Sequence, residues 1–275
     1  VKLVPRIRIL GAALIALVGF WTSGLQVGQT VARFSTLAGD FDVLLYDEAA
    51  PVTVRNFVNY AQSGRYDSTF IHRSTTYDPL DLQIVQGGSY RISGNTIFNV
   101  ALDSPIVLEA GLPNLRGTIA MARKTAPNTA TAGWFFNVTD TPGLNPGPGQ
   151  DGYAVFGRVL GDGLAVLDAM AGVTVYNLTE RLGDDFAELP LVNGQFLLVV
   201  SSVTTAPFRV VESRHTGSGF LLNWSGPSAA TPVNVERTTN LAAGPWTVVS
   251  SNNTNSTFTD TAPPPAGAFY RVVIP

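Results

Sequence analysis

The chain has 275 residues, enough for one large domain or two ordinary ones, of which 45% are hydrophobic and only 13% charged. A net charge of -3 offers no basic face for nucleic acid, and the absence of cysteine excludes disulfides and thiol chemistry. His72 and His215 stand apart with no metal-ligand spacing, while 27 glycines and 18 prolines suit a turn-rich, mainly β protein.

Residues 1–30 read as a signal peptide or N-terminal anchor, with Lys2, Arg6 and Arg8 ahead of an apolar run from Ile9 to Trp21. That run is shorter than the roughly 20 residues a spanning helix needs. Export to the periplasm, the cell envelope or the extracellular space is therefore the expectation. After a turn at Ala38-Gly39-Asp40, Phe41 to Tyr46 alternates enough for a strand. Pro51 sits where the first position of a helix tolerates it. Val54, Phe57, Val58 and Ala61 then follow at helical spacing to a stop at Gly64, which predicts a helix over 52–62.

Next, the β-like run Thr69-Phe70-Ile71 leads into Arg73, a permanent charge whose planar fork fixes the direction of its donors. A second apolar run, Leu82, Ile84 and Val85, closes on the turn Gln86-Gly87-Gly88. Short strands are expected at Asn95–Asn99 and Ile106–Glu109, and longer-range ones at Thr118–Ala122 and Trp134-Phe135-Phe136. Asp162 is positioned to cap a helix over 163–171 with the apolar face Leu164, Leu167 and Met170, ended by Gly172. Phe196 to Val203 supplies a final strand.

Thr204-Thr205-Ala206-Pro207 reads as a linker that separates 31–205 from 206–275. Beyond it, strand-like runs at Phe220–Trp224, Val233–Arg237, Trp246–Val249, Thr257–Thr259 and Phe269–Ile274 are punctuated by Gly, Pro and Asn. They suggest a small β-sandwich similar to fibronectin type III modules, short for seven strands and without a catalytic constellation. Adhesion, spacing or display is its expected role.

Four segments carry a resemblance: GDFDVLLYDEAAPVTVRNFVNYAQSGRYD, YDSTFIHRSTTYDPLDLQIVQGG, GTIAMARKTAPNTATAGWFFNV and DGYAVFGRV. In this order and spacing they resemble the cyclophilin family of peptidyl-prolyl isomerases, over roughly Phe34 to Val203. The resemblance implies a mainly β fold, a closed antiparallel barrel capped by two short helices. It implies an isomerase of X–Pro bonds in exported proteins, assisting their folding, with no cofactor and no metal. Proline-containing polypeptides would be its partners.

Carried over by residue, Arg73 matches the catalytic arginine and Gln86 the glutamine that orients the substrate backbone. Phe135 matches the aromatic floor of the proline pocket, Ile84 a position usually held by methionine, and Ala122 and Leu144 further pocket positions. Tyr153 stands where members carry histidine or tyrosine, and Arg123 where many carry asparagine, on the strand expected to pair with the substrate.

Three departures stand out. Gly133 replaces the family's usual glutamine, and Gly143 lies near a position that is usually aromatic. Between Arg73 and Gln86 the chain runs longer than the usual pattern, and the extra residues are expected to bulge out at Thr75 to Pro79. Retained Arg73, Gln86 and Phe135 favour an enzyme. The two glycines favour an alternative, a non-catalytic proline-peptide binding module tethered by its C-terminal β domain.

Overall fold

Alternating apolar residues in short runs make this chain a succession of strands. The computed structural model describes residues 29–77, 82–226, 231–241, 244–265 and 267–275. Of the expected signal peptide or anchor at 1–30, residues 1–28 lie outside the described residues, and Gln29 and Thr30 open the first strand. Ala32–Thr205 form one compact unit, and Ala206–Pro275 belong to a second, together with 29–31.

The early strands are β1 (Gln29–Thr36), β2 (Gly39–Leu45), β3 (Thr69–Phe70), β4 (Arg73–Tyr77), β5 (Leu82–Gly87), β6 (Tyr90–Ser93) and β7 (Thr96–Asn99). They are followed by β8 (Thr118–Met121), β9 (Trp134–Asn137), β10 (Val155–Val159), β11 (Val175–Tyr176), β12 (Leu189–Val192), β13 (Phe196–Leu197) and β14 (Val199–Thr216). Helices α1 (Pro51–Gln62) and α2 (Gly163–Ala171) fall where the apolar spacing predicts them; a one-turn helix, α3 (Thr179–Leu182), carries no such spacing.

Hydrogen-bonded neighbours follow the order β4-β5-β9-β8-β10-β2-β1-β14-β3-β6-β7. The ladder starts and returns on one stretch of chain, because Ile71 and His72 alone separate β3 from β4. Ile71 N donates to Leu198 O, just before β14, at 3.0 Å, and His72 N donates to Gln86 O on β5 at 3.1 Å, so adjacent residues bond to strands far apart in that order.

The middle strands carry two apolar faces, as side chains alternate along a strand. Val85, Ile119, Met121, Trp134, Phe136 and Phe156 point to the main core, with Phe34, Phe41, Phe57 and Tyr66. Phe34 is its hub, meeting Trp134 at 5.2 Å and Phe136 at 5.3 Å edge-on, a favoured aromatic geometry. Gly87 and Gly88 make room for Trp134. A Cβ on Gly87 would lie 2.7 Å from the indole ring, and Gly88 also has a φ of +81°.

Several expectations are corrected. Ile106–Glu109 is not a strand; Ile106 makes only an isolated bridge to Ala130. Glu109 instead accepts hydrogen bonds from Val52 N at 3.1 Å, Thr53 N at 2.8 Å and Thr53 Oγ1 at 2.7 Å. This carboxylate meets the unpaired donors and positive end of α1, whose N-cap Ala50 has no side chain to do so. Asp162 does sit at the N-cap of α2 but makes no side-chain capping bond.

The extra residues after Arg73 do not bulge at Thr75. Thr75 is paired opposite Ile84 and Tyr77 opposite Leu82 in unbroken register, while 78–81 fall outside the described residues. An insertion at a hairpin tip extends both arms together and leaves the register at its base unchanged. Thr204–Pro207, read as a linker, is continuous strand within β14.

In the second unit, β14 pairs with β15 (Gly219–Ser225), which pairs with β18 (Thr257–Asp260). A separate sheet orders β17 (Thr247–Asn253), β16 (Val233–Thr238) and β19 (Phe269–Val273).

All residues of the main core lie between Ala32 and Val203. A chain ending at Thr205 is therefore expected to keep a cooperative thermal transition with β-type circular dichroism. A broad, non-cooperative melt of that truncated chain would contradict this reading.

Candidate active site

Directly opposed residues of an antiparallel ladder share a face and touch. Arg73 on β4 opposes Gln86 on β5, and Gln86 opposes Phe135 on β9. Phe135 opposes Ala120 on β8, and Ala120 opposes Val155 on β10. The result is one row across five strands that runs from a guanidinium, through an amide, to an apolar patch.

That patch is a cluster separate from the main core. Ile84, Ala120, Phe135 and Val155 are buried in it, and Ala122, Leu144, Tyr153, Tyr46, Leu82 and Leu112 pack against it. Phe135 and Tyr153 meet edge-to-face at 5.4 Å. All five apolar and aromatic residues expected from the sequence thus come together. Three unforeseen members were within reach of the alternation rule: Leu82 is two before Ile84, Ala120 two before Ala122 and Val155 two after Tyr153. Tyr46 and Leu112 lie on connections and carry no such signal.

Leu144 is brought in by a loop. Its carbonyl accepts from Asn114 Nδ2 at 3.0 Å and from Tyr153 N at 3.1 Å. Arg123 lies past the end of β8 and bends back on its own surroundings. Its Nε donates to Gly152 O at 2.9 Å, its Nη1 to Lys124 O and Thr125 O, and its guanidinium lies 4.7 Å from the Tyr153 ring centre. Arg123 therefore walls the rim of the patch.

Arg73 is poised at the other end, its side chain 39% exposed. Its Nε donates to Glu188 Oε2 at 2.7 Å, and Thr75 Oγ1 donates to Glu188 Oε1 at 2.6 Å. Glu188, which sequence reasoning missed, lies 115 positions further along the chain, and no local pattern marks it.

Residues 31–186 match the model of the family described as cyclophilin type peptidyl-prolyl cis-trans isomerase/CLD. The chain belongs to the cyclophilin family. The peptidyl-prolyl cis-trans isomerase A of Dickeya dadantii is 37% identical over 175 residues, 62% of this chain and 87% of its own. The peptidyl-prolyl cis-trans isomerase B of Escherichia coli is 40% identical over 148 residues, 52% of this chain and 85% of its own. Among solved structures, a cyclophilin type isomerase of Cryptosporidium parvum aligns with 65% of this chain and 98% of its own, at 21% identity and a TM-score of 0.48.

The glycines that depart from this cyclophilin pattern differ in what surrounds them. A Cβ on Gly143 would meet nothing within 4 Å. A Cβ on Gly133 would lie 2.9 Å from Ser89 Oγ, so a side chain there requires Ser89 to turn away.

Next to Arg73, His72 is buried with its ring 5.0 Å from Tyr90, and its Nδ1 has no hydrogen-bond partner among the described residues. Tyr90 in turn donates to Asp185, and burial together with that bond pushes its phenol up to about 12. Burial pulls the His72 imidazole from 6.5 down to about 4, with the Asp185 charge opposing and Arg73 reinforcing the shift.

A histidine held low in the folded state takes up its proton first in the unfolded chain. Its contribution is intact above pH 6.5 and is lost as pH falls towards about 4. The shift corresponds to about 3 kcal/mol across that window. His72→Leu should flatten the dependence of the urea midpoint on pH between 6.5 and 4; an unchanged slope would contradict this assignment.

Proposed function

We propose that the unit 32–205 is a peptidyl-prolyl cis-trans isomerase that works at the row Arg73–Gln86–Phe135. The observation that carries this is the register: it sets a fixed donor, a polar side chain and an apolar pocket side by side on one face.

Rotation about an X–Pro bond is slow because amide resonance imposes a barrier of roughly 18–20 kcal/mol. Twisting the amide localises the nitrogen lone pair, so a donor at the prolyl nitrogen or carbonyl is worth more at the transition state than in either ground state. No nucleophile, metal or general base is required. Phe135, Ile84, Ala122 and Leu144 grip the proline ring, Gln86 holds the flanking backbone, and Arg73 donates to the twisting amide. Tyr153 and Arg123 shape the rim. Each tenfold of rate needs only about 1.4 kcal/mol of preferential binding, within reach of a few preorganised hydrogen bonds.

We also read the strand ladder as a closed barrel, because β4, which opens the strand order, and β3, which follows β14 in it, lie on the single stretch from Thr69 to Tyr77. For 206–275 we propose a fibronectin type III-like sandwich used for spacing or display. Supporting it, Phe220 of one sheet stacks on Tyr270 of the other at 4.8 Å, and Asp260 accepts from both Arg237 and Tyr270 at 2.6 Å. We propose export on the sequence of residues 1–30, with proline-containing segments of exported proteins as substrates. Recovery of the native protein from the cytoplasm would contradict that location.

Arg73→Ala should lower isomerase turnover in a protease-coupled assay by about tenfold or more, about 1.4 kcal/mol, with little change in melting temperature. Arg73→Lys should also be poor, since an ammonium lacks the planar fork. Unchanged turnover in both variants would remove Arg73 from the mechanism. A native protein that binds proline peptides without turnover would mark a binding module instead.

A further inference from the structure

Three consecutive residues of β4 hold Glu188. Arg73 Nε donates to its Oε2 at 2.7 Å, Ser74 N donates to its backbone carbonyl at 2.9 Å, and Thr75 Oγ1 donates to its Oε1 at 2.6 Å. Arg73 and Thr75 are two apart and share a face of the strand, so the carboxylate lies between their side chains. Both its oxygens and its main chain are tied to the strand that carries the arginine.

We propose that Glu188 is a positioning residue for Arg73, fixing the guanidinium so that its two Nη groups are presented to the bound prolyl peptide. The proposal rests on the isomerase reading above. A guanidinium is planar, so holding the Nε–H in one direction also fixes the plane and bearing of Nη1 and Nη2. A carboxylate that competed with substrate would instead take the Nη atoms in a two-point fork. Here it takes Nε, and among the described residues neither Nη group has a protein hydrogen bond. An exposed arginine without this grip would sample many rotamers, and loss of near-attack geometry is costly in rate. Thr75 does for Glu188 what Glu188 does for Arg73.

The test compares the full chain with Glu188→Ala, Glu188→Gln and Arg73→Ala/Glu188→Ala, using a proline tetrapeptide as substrate and melting curves as a folding control. Glu188→Ala should lower kcat by about tenfold with KM nearly unchanged, because orientation acts on the transition state. Glu188→Gln should recover most of the rate, since its amide oxygen still accepts from Nε and its amide nitrogen can donate to Thr75. In the Arg73→Ala background, Glu188→Ala should cause no further loss.

A kcat for Glu188→Ala within about twofold of the native value, or an added loss in the double variant, would overturn the proposal. If the native protein shows no turnover, the isomerase reading falls and the positioning claim is judged by NMR of the Arg73 Nε proton. That proton should exchange slowly in the native protein and in Glu188→Gln, and rapidly in Glu188→Ala. Equal exchange in native protein and Glu188→Ala would overturn it.

Discussion

The register of β5 against its two neighbours is the constraint on which this structure depends. Gln86 opposes Arg73 on one side and Phe135 on the other, which makes a donor, an amide and an aromatic floor adjacent. The same register sends Val85, Trp134 and Phe136 to the opposite face and into the main core. A slip of one residue in β5 would exchange the faces of that strand, turning Val85 out of the core while burying Gln86. Core packing therefore enforces site geometry, and the glycines at 87 and 88 belong to that enforcement because Trp134 occupies the space their side chains would need.

Much of this was legible in the sequence because it is local. Helical spacing at Val54, Phe57 and Ala61 located α1, and the aromatic run at Trp134 located β9. The pocket residues were reachable through family likeness. Period-two alternation would have added Leu82, Ala120 and Val155, and the structure gathers these with the rest. The expected bulge at Thr75 to Pro79 was placed too early, because Thr75 to Tyr77 pair in unbroken register with Leu82 to Ile84.

What was not legible is contact between distant parts of the chain. Glu109 accepts from Val52 in the first turn of α1, 57 positions earlier, and Glu188 grips an arginine 115 positions away. Neither carboxylate has a spacing that distinguishes it from a solvated surface charge. The neutrality of His72 is likewise a product of burial beside Tyr90, visible only once the strands are assembled. Electrostatics beside Arg73 is tertiary, set by groups that only the assembled strands bring together.

The catalytic account asks little of each part: an apolar slot, a positioned donor and a polar contact, all on rigid strands. Its most direct test is exchange NMR on a short X–Pro peptide with substoichiometric native protein. Uncatalysed exchange takes roughly 10–100 s at 25 °C. The account predicts that exchange becomes markedly faster while the Phe135 and Tyr153 signals shift on peptide addition. Peptide-induced shifts at those two residues with an unaltered exchange rate would contradict it.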